Sequence, residues 1–212
     1  MNPHHLDLYT DYLLSSFGQV SATGLSKVLD GAVSHDQVTR MLATPAKTSA
    51  DIWRLVKPLV REHESDEGVL IVDDSIAEKP STDENELVSW HWDSSANRAV
   101  KGINFVSVLY RTDEVEVPVA VELVTKTEQY TDTKTGKEKR RSAVTKNVRM
   151  RRMLHICVHN QIRFKYVLAD CWYSSADNMK FIKLDLKKEF ILAVKPNRKV
   201  GLSATVKPKE IG

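Results

Sequence analysis

The chain has 212 residues, 42% hydrophobic and 28% charged, with a net charge of only +3. That is enough apolar material for one sizeable core, or for a core domain plus a small helical one, and so even a charge balance does not by itself point to nucleic acid. Cys157 and Cys171 lack CxxC or zinc-type spacing, the N-terminus has no basic region ahead of an apolar stretch, and no apolar run reaches the ~18 residues of a bilayer span; the expectation is a cytoplasmic protein with no membrane partner.

Residues 1–65 read as a helical unit. Leu6, Tyr9, Leu13 and Leu14 share one helical face, as do Leu25, Val28 and Leu29. Ser34 precedes Asp36–Leu42 in the pattern of a capped short helix. This pair could act as a helix-turn-helix presenting Gln37 and Arg40 to a major groove, or simply be two packed helices. Residues 48–64 form another helix with an Ile52, Leu55, Val56, Leu59, Val60 stripe, which Pro58 is expected to kink.

After Gly68 the period changes to that of strands. Val69–Val72 is a fully apolar run ending in Asp73-Asp74, Ile103–Tyr110 alternates, and Val115–Val124 contains Pro118, which predicts an edge or a bulge. Thr125–Arg141 is polar and lysine-rich and reads as a solvated loop; residues 142–160 read as a helix. Tyr166–Ala169 is a strand ending in Asp170, Ser174–Lys188 looks helical, and Phe190–Val194 is a further strand. The predicted fold class is α/β, a mixed sheet with flanking helices over 66–212, preceded by the small all-helical domain 1–65.

Two apolar strands therefore end in aspartate, in VLIVDDS and YVLADCW. Carboxylates at neighbouring strand ends converge at one sheet edge and suit Mg²⁺, which takes hard oxygen ligands; two such ions activate an attacking oxygen and stabilise a leaving one on phosphorus. An aspartate after a strand is also an ordinary turn or N-cap residue, and the pattern alone leaves both readings open.

The segment VLIVDDSIAEKPS resembles the first-acid segment of bacterial insertion-sequence DDE transposases, whose core is RNase H-like, and YVLADCWYSSADNMKFI resembles their second-acid segment. FILAVKPNR resembles the following core strand and Lys101-Gly102-Ile103-Asn104 the entry to the second strand, so the resemblance spans about residues 66–200. It implies Asp74 and Asp170 as catalytic, metal-ligating acids, with Asp73 in support, Mg²⁺ or Mn²⁺ as cofactor, and transposon terminal inverted repeats and target DNA as partners. A homo-oligomer or a full-length transposase is the implied protein partner. The family's third acid, a Glu in a Tyr–Arg–Glu–Lys context, has no counterpart: neither Glu189 nor Glu210 matches it. The implied catalytic domain is thus C-terminally incomplete, and the polypeptide is expected to be inactive or nearly so. The alternatives are a truncated DNA-binding competitor of a full-length copy and an unrelated metal-dependent nuclease.

Lys134, Lys137, Lys139, Arg140, Arg141, Lys146, Arg149, Arg151 and Arg152 form the main positive cluster, which either neutralises phosphates or is a solvated loop. Lys139, Arg140, Arg141, Arg149, Arg152, Lys195 and Arg198 are the candidate DNA contacts; Lys207 and Lys209 are expected to be solvated. Trp90-His91-Trp92 either packs in the core or stacks on a base.

Overall fold

The computed structural model describes residues 3–18, 20–43, 48–195, 198–200 and 209–210. They fall into two compact units, Met1–Lys47 and Thr48–Gly212. The first contains α1 (Pro3–Ser15), α2 (Ala22–Val28) and α3 (His35–Leu42). Leu25, Val33, Val38 and Met41 form its core, with Leu8, Tyr9 and Tyr12 packed against it. The stripe expected on α1 is therefore shifted: Tyr9 packs, but Leu14 is 82% exposed. Ser34 caps α3 as its sequence suggests, accepting from the Gln37 N–H while the Ser34 N–H donates to Gln37 Oε1 at 2.8 Å.

The helix α4 (Ser49–His63) belongs with the sheet unit, although its sequence groups it with the preceding helices. Its buried stripe is Trp53, Val56 and Val60, with Leu55 left exposed. Ser49 Oγ bonds both the carbonyl and the N–H of Val121, at 2.7 and 2.9 Å. Arg61 reaches the carbonyls of Asn160 and Gln161. Pro58 lies within the helix, which continues past it.

The sheet strands are β1 (Val69–Glu78), β2 (Val88–Asp93), β3 (Arg98–Arg111), β4 (Glu116–Leu123), β7 (Tyr166–Ala169) and β8 (Glu189–Leu192). β1 pairs antiparallel with β3 from Gly102 to Arg111; the other edge of β3 takes β2 along its first half and β4 along its second. On the far side of β1, β7 and then β8 pair in parallel. Three antiparallel strands joined through β1 to two parallel ones make the mixed α/β, RNase H-like sheet expected from the resemblance. Pro118 sits on β4 beside a register shift at Val108/Leu109, as its missing N–H requires. Gly102 is needed on β3 because any Cβ there would collide with the Ala77 carbonyl of β1.

The helix α5 (Lys146–His159) covers one sheet face with Met150, Met153, Leu154 and Cys157, the i, i+3, i+4, i+7 spacing of a buried stripe. They pack with Leu70, Val72, Val106, Val108 and Tyr110, the even-numbered side chains of β1 and β3. The short α6 (Ala176–Lys180), capped by Ser175, runs into a π-helical turn, Phe181–Asp185, before β8. The final strands are the pair β9 (Lys199–Val200) and β10 (Lys209–Glu210).

Two elements differ from the sequence reading. Thr125–Arg141 is not an irregular loop but contains the hairpin β5 (Glu128–Thr131) and β6 (Glu138–Arg141). Cross-strand pairs Glu128–Arg141 and Thr131–Glu138 hold it, and Asp132 turns the chain by accepting the N–H groups of Lys134 and Thr135. β2 was not expected, because its inward residues Ser89 and His91 are polar.

If α4 is part of the sheet core, Val60→Ala should cost about 2 kcal/mol in urea unfolding monitored by circular dichroism, and Leu55→Ala less than about 0.5 kcal/mol.

Candidate active site

The parallel ladder between β1 and β7 ends at Val72↔Ala169. β1 continues, so Asp73 and Asp74 lie within a strand rather than at its end, while Asp170 is the first residue past β7. The register thus brings the two acidic segments side by side at one edge. They line a cavity of about 650 Å³ with Trp90, His91, Trp92, Lys126, Lys146 and Trp172.

Asp74 is the best-held acid. It shares the inward face of β1 with Leu70 and Val72, and its side chain is 16% exposed. Oδ2 accepts from Asn104 Nδ2 at 2.9 Å and Lys146 Nζ at 2.5 Å, and Oδ1 from the Tyr173 hydroxyl at 3.2 Å. Asn104 is fully buried on β3, and its Oδ1 has no hydrogen-bond partner among the described residues. Burial, followed by the nearby Asp74 charge, raises the Tyr173 hydroxyl well above the usual phenol range, so it remains a donor. Asp73 is exposed and accepts the Asp74 N–H at 2.8 Å.

Asp170 Oδ1 accepts the Trp172 N–H at 2.9 Å. Its carboxyl is held above the ordinary aspartate range, chiefly by partial desolvation. The Trp172 N–H works against that shift, and the charges of Asp73 and Asp74 add to it. Asp73, Asp74 and Asp170 line one and the same cavity. Asp74 and Asp170 offer the hard oxygen donors that a divalent ion takes. Among the described residues, no three His, Cys, Asp or Glu side chains are drawn together as a ready metal cluster.

The histidine and the tryptophans of the Trp90-His91-Trp92 segment separate. His91 is buried and its Nε2 bonds Ser89 Oγ at 3.1 Å, whereas Trp90, Trp92 and Trp172 are each more than half exposed. Core packing therefore describes His91 and not the two tryptophans. Desolvation, then Lys126 and Lys146, push His91 down to about 4 against the opposing pull of Asp74.

The candidate DNA contacts do not converge. Arg149 is a correction: it is only 6% exposed, bonded to Glu122, the Leu123 carbonyl and Ser142, and its guanidinium is unavailable to a phosphate. Lys139 is bonded to Asp132 and Arg141 to Glu128, on the hairpin, with Arg140 half-buried between them. Arg152 is exposed on α5, and Arg198 is exposed. Lys195 lies with its Nζ 4.0 Å from the centre of the Trp172 ring, at the acid cavity. Gln37 is committed to its cap and Arg40 is exposed. Glu189 opens β8 beside Tyr166, at the opposite end of that strand from the acids, and is bonded to Lys183. Lys207 and the side chains of Lys209 and Glu210 lie outside the described residues.

Asn104, Lys126, Tyr173 and Trp172 are site residues that the sequence reading missed. Lys146 appeared there only as one member of a basic cluster. The alternation of β3 could have flagged Asn104, a polar residue on an otherwise apolar face.

The chain matches the DDE superfamily endonucleases across residues 2–210, and it belongs to that family. The family implies a DNA substrate and generally uses divalent metal ions. No protein of curated function matches the chain. Among the described residues no helix is long and apolar enough to cross a membrane.

The histidine carries a pH prediction. A folded-state value of about 4 against 6.5 for a free histidine means that the unfolded chain binds the proton first as pH falls. His91 therefore supports stability above pH 6.5 and withdraws that support progressively as pH drops toward 4. Thermal midpoints of the wild type should fall more steeply across this window than those of His91→Gln.

Proposed function

We propose that the protein is a transposase-type DNA strand-cleaving and strand-transferring protein, with Asp74 and Asp170 as its metal-ligating acids. The observation that carries this reading is the β1–β7 register, which ends at Val72↔Ala169 and leaves Asp73, Asp74 and Asp170 lining one cavity. The ion is Mg²⁺ or Mn²⁺, and when bound it supplies activation of the attacking oxygen and neutralisation of charge at phosphorus.

The chain's own groups do the rest. Asn104 and Tyr173 fix the Asp74 carboxylate through donors on both of its oxygens. The Trp172 N–H fixes Asp170. Lys126 and Lys195, at the rim, offer positive charge to a phosphate backbone, and the exposed Trp90, Trp92 and Trp172 offer stacking surfaces to bases. The exposed Arg40, Lys139, Arg141, Arg152 and Arg198, with the half-buried Arg140, are accessory phosphate contacts, with transposon-end and target DNA as the partners.

The test is a supercoiled plasmid carrying the gene's flanking sequences, incubated with the protein and Mn²⁺. We expect DNA binding, with nicking that falls on the order of 100-fold in Asp74→Asn and in Asp170→Asn. Nicking indifferent to both substitutions would overturn the site assignment.

A further inference from the structure

The Lys146–Asp74 contact is unusual in its setting. Lys146 is the first residue of α5, where the helix dipole disfavours a cation, and no acid accompanies it in the first turn. Its ammonium nonetheless lies 2.5 Å from Asp74 Oδ2, with Asp74 16% and Lys146 35% exposed. With Asn104 on the same oxygen and Tyr173 on the other, the carboxylate already has three donors. Of these, Asn104 and Tyr173 are fully buried and only Lys146 reaches the solvent-facing side of the cavity.

We propose that Lys146 is the built-in counter-cation of this site, competing with a divalent ion for the Asp74 carboxylate, so that metal binding is coupled to release of its ammonium. The inference rests on the reading of Asp74 and Asp170 as ion ligands and adds the residue that competes for them. The physical basis is charge compensation. Without an ion or Lys146, a mostly buried Asp74 beside Asp73 and Asp170 would lack a positive partner, which is costly; with an ion present, the ammonium and the ion repel each other across one carboxylate. The helix dipole weakens the lysine's seat, which makes the exchange feasible. Once displaced, Lys146 remains at the mouth of the same cavity, where a DNA phosphate is the natural new partner.

The distinguishing signature is a pair of opposite effects. In Lys146→Gln, Mn²⁺ measured by electron paramagnetic resonance titration of the full chain should bind on the order of ten-fold more tightly, while the metal-free protein melts at a lower temperature. A merely structural lysine would lower both. Lys146→Arg, which keeps a cation on Asp74, should retain wild-type affinity. Lys126→Gln removes an equal charge from the same cavity without touching Asp74, and should change affinity far less than Lys146→Gln. Unchanged or weaker Mn²⁺ binding in Lys146→Gln, or an equal gain in Lys126→Gln, overturns the proposal. The underlying reading fails separately, and takes the proposal with it, if Asp74→Asn and Asp170→Asn leave wild-type Mn²⁺ binding unchanged.

Discussion

The constraint on which the site depends is the crowding of negative charge at the point where the parallel pairing of β1 and β7 stops. Val72 and Ala169 are the last paired residues, and the next positions on each segment are acids. Strands about 4.8 Å apart cannot hold like charges there without compensation. The surroundings supply it: Asn104 from β3, Tyr173 from the turn before α6 and Lys146 from the start of α5 all donate to Asp74. Asp170 has a backbone donor on its carboxylate, and desolvation, more than the charges of Asp73 and Asp74, holds its carboxyl above the ordinary aspartate range.

The core explains why those donors arrive together. Met150, Met153, Leu154 and Cys157 seat α5 on the even-numbered face of β1 and β3, and that seating carries Lys146 to the acid edge. The fully buried Tyr173 packs in the same core while its hydroxyl reaches Asp74. Asn178 ties the segment to α5 by bonding the Tyr173 carbonyl, Asn147 and Arg151. Packing and site geometry are therefore one system, and a change beneath α5 is felt at Asp74.

Much of the sheet was legible from period-two apolar runs, because β1, β3, β4 and β7 bury one face or both. β2 and the β5–β6 hairpin were not, since Ser89 and His91 turn polar groups inward and the hairpin is held by charged cross-strand pairs. α4 was recognised as a helix but grouped with the wrong neighbours: periodicity shows that a face is apolar, not what it will meet. That Asp74 and Asp170 line one cavity was legible from their positions after apolar strands. Their immediate partners were not, because Asn104 and Tyr173 become site residues only through a register and a turn that join distant segments. Arg149 shows the converse failure, for in sequence it is one more member of a basic run, whereas the fold buries it against Glu122.

The account's central claim is that Asp74 and Asp170 together receive one cation-binding function. Iron-directed cleavage tests it most directly: Fe²⁺ is bound in place of Mg²⁺, peroxide is added, and the main-chain breaks are mapped by mass spectrometry. The account predicts breaks beside Asp74 and beside Asp170 in the same sample, both suppressed by excess Mg²⁺. Breaks at only one of the two segments, or a scattered pattern that Mg²⁺ does not suppress, would contradict it.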